Sequence, residues 1–401
     1  MIIYCKEIYT AQGIKAGYLE LNDGKFYKFH EESSNLVADA DYRDYRIIPG
    51  VIDTHNHGGF GYSMMSLDRV PTKEEIFAYL KGQASWGVTA VFPTTVNIAT
   101  IALLADLAES QNDGAKIAGI HSEGPWGARV GEKGVNTGYP PVDLTFARKM
   151  VEAGQGKLKL VDVAPEVPEA LDAIRFFVSQ GIMVGAFHTN ANFAEANLGI
   201  DAGITVATHL GNVMTGLHHR DIGTLGACLL RPEVDCEIIC DGMHIDLEMI
   251  RLYFKVKDLS RFMMISDNVV FAGAPVGHYR GMGPDTNSDR RTIFVDEAGF
   301  VLSETGRLSG SSKPVMYGIK NLVEKLELPL QEVCRMASYN PAKKYGLTTK
   351  GAIKEGLDAD FAVIDTNFDV VATYCESRQV FNRDVDKDLF NPDFLAENKI
   401  A

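Results

Sequence analysis

The distribution of apolar and polar residues changes near residue 47, where two kinds of segment begin to alternate regularly. From there to residue 268, short apolar runs that end in polar residues alternate with longer segments of helical spacing. The apolar runs span 46–57, 89–95, 117–125, 160–166, 182–190, 204–212, 236–244 and 262–268. The segments between them predict helices at 73–86, 100–111, 143–153, 168–180, 192–201 and 246–257. The first helix has a capping-box pattern, Thr72 with Glu75, and Gly87 to end it.

This alternation predicts an α/β fold built on a parallel sheet. Strands that are buried on both faces are continuous apolar runs, and a helix between consecutive strands makes the two strands parallel. Eight such strands indicate a (β/α)8 TIM barrel. A doubly wound open sheet has the same local pattern, so the pattern alone leaves these two architectures open.

The two ends of the chain have a different pattern from the middle. Residues 1–46 and 351–383 contain short alternating segments separated by Gly, Asn and Asp, which predict β-strands and turns. We therefore expect a small β-sandwich domain formed from both termini, residues 1–46 with 347–401, and a catalytic barrel of residues 47–346. The segment 270–308, rich in Gly and Pro, predicts a long loop after the eighth strand, with a β-ribbon beside the site.

Composition narrows the class of protein. The 401 residues are 46% hydrophobic and 23% charged, and the formal net charge is −14. This acidity argues against nucleic-acid binding, and no apolar run is long enough to cross a membrane. The N-terminus lacks the pattern of a secretory signal, so a cytoplasmic protein is expected. Six scattered cysteines without a C-x-x-C pair are typical of reduced structural thiols.

Histidines and carboxylates stand at the ends of most of the apolar runs. In a TIM barrel the carboxyl ends of the strands meet at one mouth, where the chemistry of the fold takes place. The residues at these ends are His55 and His57, Glu123, His188, His209, His244 and Asp267. Together they are enough ligands for one or two divalent metal ions, although each alone could be a structural residue. His121 faces the same way as Glu123, and we interpret it as a support behind the ligands.

Several longer motifs are similar to those of a known family. They are "PGVIDTHNHGG", "GIHSEGPW", "VAPE", "THLGNVM", "CDGMH", "SDN", "LSGSS" and "ASYNPAKKYGL". In this order and spacing they resemble the amidohydrolase superfamily and, within it, the N-acetylglucosamine-6-phosphate deacetylase family, along nearly the whole chain. The first motif is shared across the superfamily, whereas "SEGPW" and "THLGNVM" are typical of the deacetylases.

The resemblance implies a set of metal ligands. They are His55, His57, Glu123, His188, His209 and Asp267. Glu123 and the two later histidines would hold a principal ion, and the first-strand pair would hold a second one. No lysine ends the fourth strand, so Glu123 would take the bridging position that a carboxylated lysine has elsewhere in the superfamily. Nitrogen and oxygen ligands without cysteine suit zinc, although iron, manganese or cobalt would also fit.

The resemblance also implies the reaction, which is removal of the acetyl group from an N-acetylhexosamine 6-phosphate. A divalent metal lowers the pKa of bound water and polarises the acetamide carbonyl, while Asp267 would accept the proton and pass it to the departing amine. His244 would contact the sugar or the reacting carbonyl, and Asn212 with the backbone of Val213 would contact the sugar and its phosphate. Arg220 would hold the phosphate from the neighbouring subunit of a homodimer, since its planar donors suit a phosphate.

Because the sequence departs from the family pattern at two positions, it does not decide which substrate the protein acts on. Arg220 stands in "HHRDIG" where the family usually has "GREPG", and the carbonyl-polarising position falls on Asn136 where the family has His or Gln. N-acetylglucosamine 6-phosphate is the simplest substrate, and its galactosamine epimer is a close second. Three further functions stay open at this point: an amidohydrolase of N-acyl amino acids or cyclic amides, a nucleobase deaminase, and a non-catalytic protein that keeps the metal site.

Overall fold

The computed structural model describes residues 1–34, 36–129, 139–281 and 292–400. Its β-strands are β1 (Ile2–Thr10), β2 (Gly13–Asn22), β3 (Lys25–Glu31), β4 (Ala40–Asp41), β5 (Arg46–Pro49), β6 (Val51–Asn56), β7 (Gly58–Gly59), β8 (Tyr62–Ser63), β9 (Val88–Pro93), β10 (Lys116–Ile117), β11 (Ile120–Trp126), β12 (Leu158–Val163), β13 (Met183–Ala186), β14 (Ile204–Ala207), β15 (Asp235–Ile239), β16 (Phe262–Ile265), β17 (Gly277–Arg280), β18 (Thr292–Val295), β19 (Val301–Ser303), β20 (Phe361–Ile364), β21 (Val370–Cys375), β22 (Arg378–Asn382) and β23 (Lys399–Ile400). Its α-helices are α1 (Lys73–Ser85), α2 (Ile98–Leu107), α3 (Leu144–Gly154), α4 (Ala170–Ser179), α5 (Phe193–Ala202), α6 (Gly223–Leu230), α7 (Leu247–Val256), α8 (Val315–Glu324), α9 (Leu330–Cys334), α10 (Asn340–Lys344) and α11 (Pro392–Asn398). Short 3-10 helices lie at Glu32–Ser34 and Leu259–Arg261, and a π-helical turn lies at Arg335–Tyr339.

Parallel strands occupy the eight predicted apolar runs in order along the chain. They are β6, β9 and β11 to β16, and α1 to α7 lie between or after them. The strands form two sheets, in the orders β10-β9-β6 and β11-β12-β13-β14-β15-β16, and each strand is parallel to its neighbour. Sequential order in both sheets excludes the strand reversal of a doubly wound sheet. The predicted TIM-barrel architecture is therefore confirmed.

The two sheets meet at two seams, where isolated hydrogen bonds take the place of a continuous ladder. At one seam the amide of Thr95 donates to the carbonyl of His121 at 3.0 Å. At the other, the amide of Asp267 donates to the carbonyl of His55 at 2.9 Å. These bonds complete the circuit of strands, and the second seam holds the eighth strand against the first-strand histidines.

The barrel interior is filled by side chains from alternate strands. One buried cluster consists of Phe92, Leu160, Val206 and Met263, from β9, β12, β14 and β16, with Tyr345. Four bulky apolar side chains from alternate strands are the usual layer of a TIM barrel. Two residues further along β12, Asp162 continues the same face, and it is fully buried, as is Glu237 on β15. The interior therefore changes from apolar to polar toward the carboxyl ends of the strands.

The six predicted helices are present as α1 to α5 and α7, whereas α6 and the later helices α8 to α11 were not predicted. At α1 the predicted capping box is present, since the Glu75 amide donates to Thr72 Oγ1 at 3.2 Å and the Thr72 amide donates to Glu75 Oε2 at 2.8 Å. The helix predicted to reach residue 111 ends at Leu107 instead. Helix α6 was missed because its two glycines lower the helix propensity of "GTLGACLL". Within the described residues, no helix combines the length and the apolar character needed to cross a membrane.

A small sheet formed from both termini lies beside the barrel, as predicted. Its strand order is β22-β21-β20-β5-β1-β2-β3, with β4 on β1. The sheet curls over itself. Three strands lie between β3 and β20, and yet Phe26 on β3 packs against Phe361 on β20 with ring centroids 6.0 Å apart. A separate buried apolar cluster fills the space that this sheet encloses.

The segments before and after the eight barrel strands pair with strands outside the barrel. β5, at residues 46–49, belongs to the small sheet, since it pairs with β1 and β20. β17, β18 and β19 form an antiparallel ribbon within the predicted segment 270–308, and the C-terminal β23 pairs with β17 through Lys399 and Tyr279. The domain limits at residues 46/47 and 346/347 stay a prediction.

Candidate active site

Glu123, on β11, is the centre of a cluster of four histidines. Its Oε1 atom lies 2.8 Å from His209 Nε2 and 3.2 Å from His188 Nε2. Its Oε2 atom lies 3.2 Å from His57 Nε2, and His55 Nε2 lies 3.9 Å from Oε1. Four imidazole rings from the first, fifth and sixth barrel strands therefore converge on one carboxylate from the third.

Asp267 faces the first-strand histidines from the eighth strand. Its Oδ1 atom lies 3.2 Å from His57 Nε2 and 3.4 Å from His55 Nε2. The two Nε2 atoms are 3.1 Å apart, so both imidazoles point at the same place. The structure thus brings together all six side chains that the sequence suggested as metal ligands.

The backbone turns sharply at three of these six residues. His188, His209 and Asp267 have φ values of 39°, 33° and 53°, in the left-handed region that residues with a Cβ atom rarely adopt. Each lies two residues beyond the end of its strand. The same turn therefore directs all three side chains over the barrel mouth. Such backbone strain costs about 1–3 kcal/mol per residue and is concentrated at functional sites.

The cluster is open to solvent on one side. The side chains of His55 and His209 are 0% and 1% exposed, whereas those of Asp267 and His188 are 15% and 19% exposed. Asp267 and His188 therefore border the opening through which a small molecule can reach the cluster.

Burial and close contacts perturb the titration of these groups. Burial lowers the pKa of His55 to about 3, so its ring is neutral at pH 7. Burial also opposes the charge on His57, but hydrogen bonds with Asp267 and Glu123 outweigh it and raise the pKa of His57 to about 10. Burial acts to raise the pKa of Asp267, but His55 and His57 outweigh it and lower the value to about 2. The Asp267 carboxylate is therefore ionised and able to accept a proton.

Further polar residues support the ligands from behind. The Tyr139 hydroxyl lies 2.7 Å from His188 Nδ1. His121 pairs with Asp162, with His121 Nε2 2.7 Å from Asp162 Oδ2, and its ring packs edge-on against His55 with centroids 4.4 Å apart. Neither Tyr139 nor Asp162 was predicted. Asp162 had a signal, since it is a carboxylate inside the fourth apolar run, whereas Tyr139 lies in a loop without a pattern.

Asp53 joins the first and eighth strands below the cluster. Its Oδ2 atom accepts hydrogen bonds from the Ser266 hydroxyl at 2.6 Å and from Asn56 Nδ2 at 3.0 Å, and its Oδ1 atom accepts from the Ser266 amide at 3.1 Å. Burial raises the pKa of the Asp53 carboxyl to about 6. Because Ser266 precedes Asp267, these bonds fix the position of Asp267 relative to His55.

The residues suggested for substrate binding lie on the loops after the strands. His244 Nδ1 is 2.7 Å from Asp241 Oδ2, and its other ring nitrogen has no hydrogen-bond partner among the described residues, so a ligand can bind it. Asn212 and Val213 lie in the turn that follows His209, where the Asn212 amide donates to the His209 carbonyl at 2.8 Å. Asp241 was not singled out from the sequence, although it stands in the motif "CDGMH".

The remaining two residues suggested for substrate binding are Arg220, which lies apart from the cluster, and Asn136. Arg220 is exposed on a tight loop closed by two backbone hydrogen bonds between His218 and Asp221. It forms no salt bridge with a carboxylate of the described residues. The structure therefore does not bring Arg220 into contact with the cluster of its own chain. Asn136 lies outside the described residues.

The ligand atoms of this cluster fit one or two divalent metal ions. Those of Glu123, His188 and His209 lie within 4.8 Å of one another, and so do those of His55, His57 and Glu123. Imidazole nitrogen and carboxylate oxygen are ligands that zinc and other first-row divalent metals accept. Glu123 belongs to both groups, so it can be shared between two ions.

Comparisons with known proteins agree with this geometry. The model of the amidohydrolase family matches residues 46–391. An N-acetylglucosamine-6-phosphate deacetylase of Vibrio furnissii is 34% identical over 84% of this chain and 83% of its own. An N-acetylgalactosamine-6-phosphate deacetylase of Escherichia coli O157:H7 is 30% identical over 81% of this chain and 85% of its own.

Solved structures give the same result. A mutant N-acetyl-D-glucosamine-6-phosphate deacetylase from Mycobacterium smegmatis, in complex with N-acetyl-D-glucosamine-6-phosphate, superimposes with a TM-score of 0.83 at 26% identity, over 95% of this chain and 99% of the other. The family model covers the barrel strands, and the structural match extends over nearly the whole chain. The chain is a member of the amidohydrolase family, a hydrolase of carbon–nitrogen bonds, and within that family it belongs with the N-acetylglucosamine-6-phosphate deacetylases.

Proposed function

We propose that this enzyme hydrolyses the acetamide of N-acetylglucosamine 6-phosphate to the amino sugar phosphate and acetate, in amino sugar metabolism. The observation that carries the proposal is the meeting of four histidines on Glu123, with Asp267 beside them at the open side. The relative from Vibrio furnissii and the complex from Mycobacterium smegmatis support the choice of substrate.

The metal ions would be held by Glu123 and the four histidines of the cluster, with Asp267 beside the second ion. Glu123, His188 and His209 would bind the principal ion, and His55 and His57 the second one, next to Asp267. A divalent ion bound there would lower the pKa of water and polarise the acetamide carbonyl. Zinc is our first choice because the ligands are nitrogen and oxygen, and iron, manganese and cobalt would also suit them.

Asp267 would move the proton during the reaction. Its ionised carboxylate borders the opening and can accept a proton from the attacking water. The protonated carboxyl can then give this proton to the departing amine, which would otherwise be a poor leaving group. The strained turn at Asp267 and the hydrogen bonds between Asp53 and Ser266 would fix the position of the Asp267 carboxylate for both proton transfers.

Substrate contacts would come from the loops around the mouth. His244, oriented by Asp241, would donate to a sugar hydroxyl or to the reacting carbonyl. Asn212 and the backbone of Val213 would contact the sugar and the phosphate, and Asn136 would take the carbonyl-polarising position. Arg220, exposed and without a carboxylate partner in the described residues, would bind the phosphate.

A homodimer would bring Arg220 to the site of the partner subunit. Large apolar side chains are exposed on α5, α6, α7 and the adjoining loops, including Leu198, Leu217, Leu230, Met243, Leu252 and Val256. A group of exposed apolar side chains on neighbouring helices is typical of a protein interface. The Arg220 loop directly precedes α6, so such an interface would carry Arg220 toward the other subunit.

Replacing Arg220 by alanine is expected to raise KM for the phosphorylated sugar about 10- to 100-fold, with kcat within about twofold, because charged hydrogen bonds contribute about 1.5–3 kcal/mol. Arg148→Ala, on the exposed face of α3, is the matched control and should leave both constants unchanged. Steady-state kinetics on both variants measures this difference. An unchanged KM in Arg220→Ala would remove Arg220 from phosphate binding.

Hybrid dimers test whether Arg220 acts across the interface. Co-expressed Arg220→Ala and Asp267→Asn subunits would form one intact site, from Asp267 of one subunit and Arg220 of the other. At substrate concentrations below KM, the activity per hybrid dimer should therefore be about half of that of the wild-type dimer. No recovery in purified hybrids would mean that Arg220 does not serve the neighbouring site.

N-acetylgalactosamine 6-phosphate is the second candidate substrate, because one relative at 30% identity is a deacetylase of that sugar. The two epimers differ in the orientation of one hydroxyl group. Comparing kcat/KM for the two sugars in one competition assay decides between them. We expect N-acetylglucosamine 6-phosphate to be preferred, and a higher kcat/KM for the epimer would reverse the assignment.

The proposed reaction is compatible with a cytoplasmic enzyme. All six cysteines are buried, and none is in a disulfide. Free buried thiols are typical of proteins that work in a reducing compartment. We therefore propose the cytoplasm as the location.

A further inference from the structure

Glu237 is a buried carboxylate behind the first-strand histidines, outside the six clustered ligands. It lies on β15, is fully buried, and points into the barrel. Its Oε1 atom accepts a hydrogen bond from the Thr54 hydroxyl at 2.8 Å and a longer one from the Tyr345 hydroxyl at 3.4 Å. Both donors thus fix the same oxygen, and the orientation of the other oxygen is set with it.

The second oxygen faces a ring nitrogen that also lacks a partner. Glu237 Oε2 lies 3.5 Å from His55 Nδ1, and both atoms are buried without a hydrogen-bond partner among the described residues. Unpaired buried polar atoms are rare because each costs about 1–3 kcal/mol. A small rotation of the His55 ring would join these two atoms and satisfy both.

The pair is better explained by a hydrogen bond than by a metal ion of its own. The ligand atoms of His55, His121 and Glu237 lie within 4.8 Å of one another. However, His121 Nε2 is occupied by Asp162 at 2.7 Å, and His121 Nδ1 lies 3.4 Å from Thr94 Oγ1. His121 therefore has no free nitrogen to complete a set of three ligands.

We propose that Glu237 is a positioning residue that holds the His55 proton on Nδ1 and so keeps His55 Nε2 free for the second metal ion. A metal-bound histidine commonly donates its other N–H group to a carboxylate, which fixes the tautomer and the ring orientation. His55 Nε2 lies on the side of Glu123 and Asp267, as this arrangement requires. The inference rests on the metal site in the proposed function and is independent of the sugar substrate.

Two substitutions of Glu237, by glutamine and by methionine, are expected to weaken binding of the second metal ion to different extents. In Glu237→Gln, the amide oxygen would stay with the two hydroxyl donors, Thr54 and Tyr345, and the NH2 group would face His55 Nδ1. That group can only donate, so it would move the His55 proton to Nε2 and block metal binding there. Glu237→Met removes the acceptor without adding a donor, so either tautomer stays accessible.

The test is a zinc titration of metal-depleted enzyme against a chromophoric chelator, which gives one Kd for each ion. Wild type should bind two ions per chain. In Glu237→Gln the second ion should bind about 100-fold more weakly, and in Glu237→Met about 10-fold, with the principal ion changed less than about threefold in both. Asp235→Asn, which changes another carboxylate of β15 that pairs with Lys344 and not with a histidine, is the control and should leave the second Kd within about threefold.

Four results would overturn the proposal. They are one ion or three ions per chain in wild type, an unchanged second Kd in Glu237→Gln, weaker binding in Glu237→Met than in Glu237→Gln, and equal weakening of both ions. Equal weakening would mean a general loss of structure, which circular dichroism would detect. A failure of the proposed deacetylase activity would be seen as absence of amine release and would not alter these Kd values.

Discussion

Replacement of Asp267 by asparagine is expected to lower kcat for amine release about 10³-fold. General acid–base groups contribute about 10²–10⁴-fold, and Asp267 is proposed to act in two successive proton transfers. Asparagine keeps the size and much of the hydrogen bonding of the side chain but cannot accept a proton. KM should change little, because Asp267 is proposed to act on the reacting atoms and not on the phosphate.

Steady-state kinetics and metal analysis on the same preparation measure this effect. Asp258→Asn, at the exposed N-cap before β16, is the matched control and should keep kcat within about twofold. If Asp267→Asn with a full metal complement keeps more than about 10% of kcat, Asp267 is not the proton acceptor.

The second large effect is expected from Glu123. This carboxylate contacts all four histidines of the cluster, so its loss removes the ligand shared by the two proposed ions. We expect Glu123→Ala to lose both ions and to lower kcat/KM at least about 10³-fold, since metal ions supply several kcal/mol of catalysis in such sites.

Metal content after gel filtration, with circular dichroism to establish folding, measures the effect. Glu248→Ala, near the start of α7, is the control and should bind metal as wild type does. A folded Glu123→Ala protein that retains two ions would show that the cluster is not organised around this residue.

The positions of the barrel strands and of the clustered side chains were predictable from the sequence. Each buried parallel strand is a continuous apolar run, and the polar residues that end the run mark the barrel mouth. His55, Glu123 and Asp267 all stand at such ends. The fold then makes these residues neighbours in space, although His55 and Asp267 are 212 residues apart along the chain (267 minus 55).

The supporting contacts were not predictable from the same pattern. Glu237 and Asp53 lie inside their strands and face particular partners only after the barrel has closed. The left-handed turns at His188 and Asp267 were also unforeseen, because His and Asp adopt this conformation more often than most residues but still only in a small minority of cases. Such features depend on which strands become neighbours and on the exact distance between them.

The strands at the two ends of the chain were predictable only in part. Alternating segments predicted strands at both termini, and these strands pair as expected. The pairing of β23 with the ribbon at β17 was not predicted, since two residues carry too weak a pattern. The position of a strand of two residues is determined by the strand with which it pairs and not by its own sequence.

The cluster around Glu123 is proposed to make this chain a metal-dependent deacetylase of a phosphorylated amino sugar. The most direct measurement is amine release from N-acetylglucosamine 6-phosphate by enzyme that has been depleted of metal and then restored with zinc. We expect no turnover in the depleted enzyme, and after restoration a kcat/KM at least about 10²-fold higher for this sugar than for unphosphorylated N-acetylglucosamine. Absence of amine release from the fully metal-loaded enzyme, or equal activity on both sugars, would show that the enzyme does not have this activity.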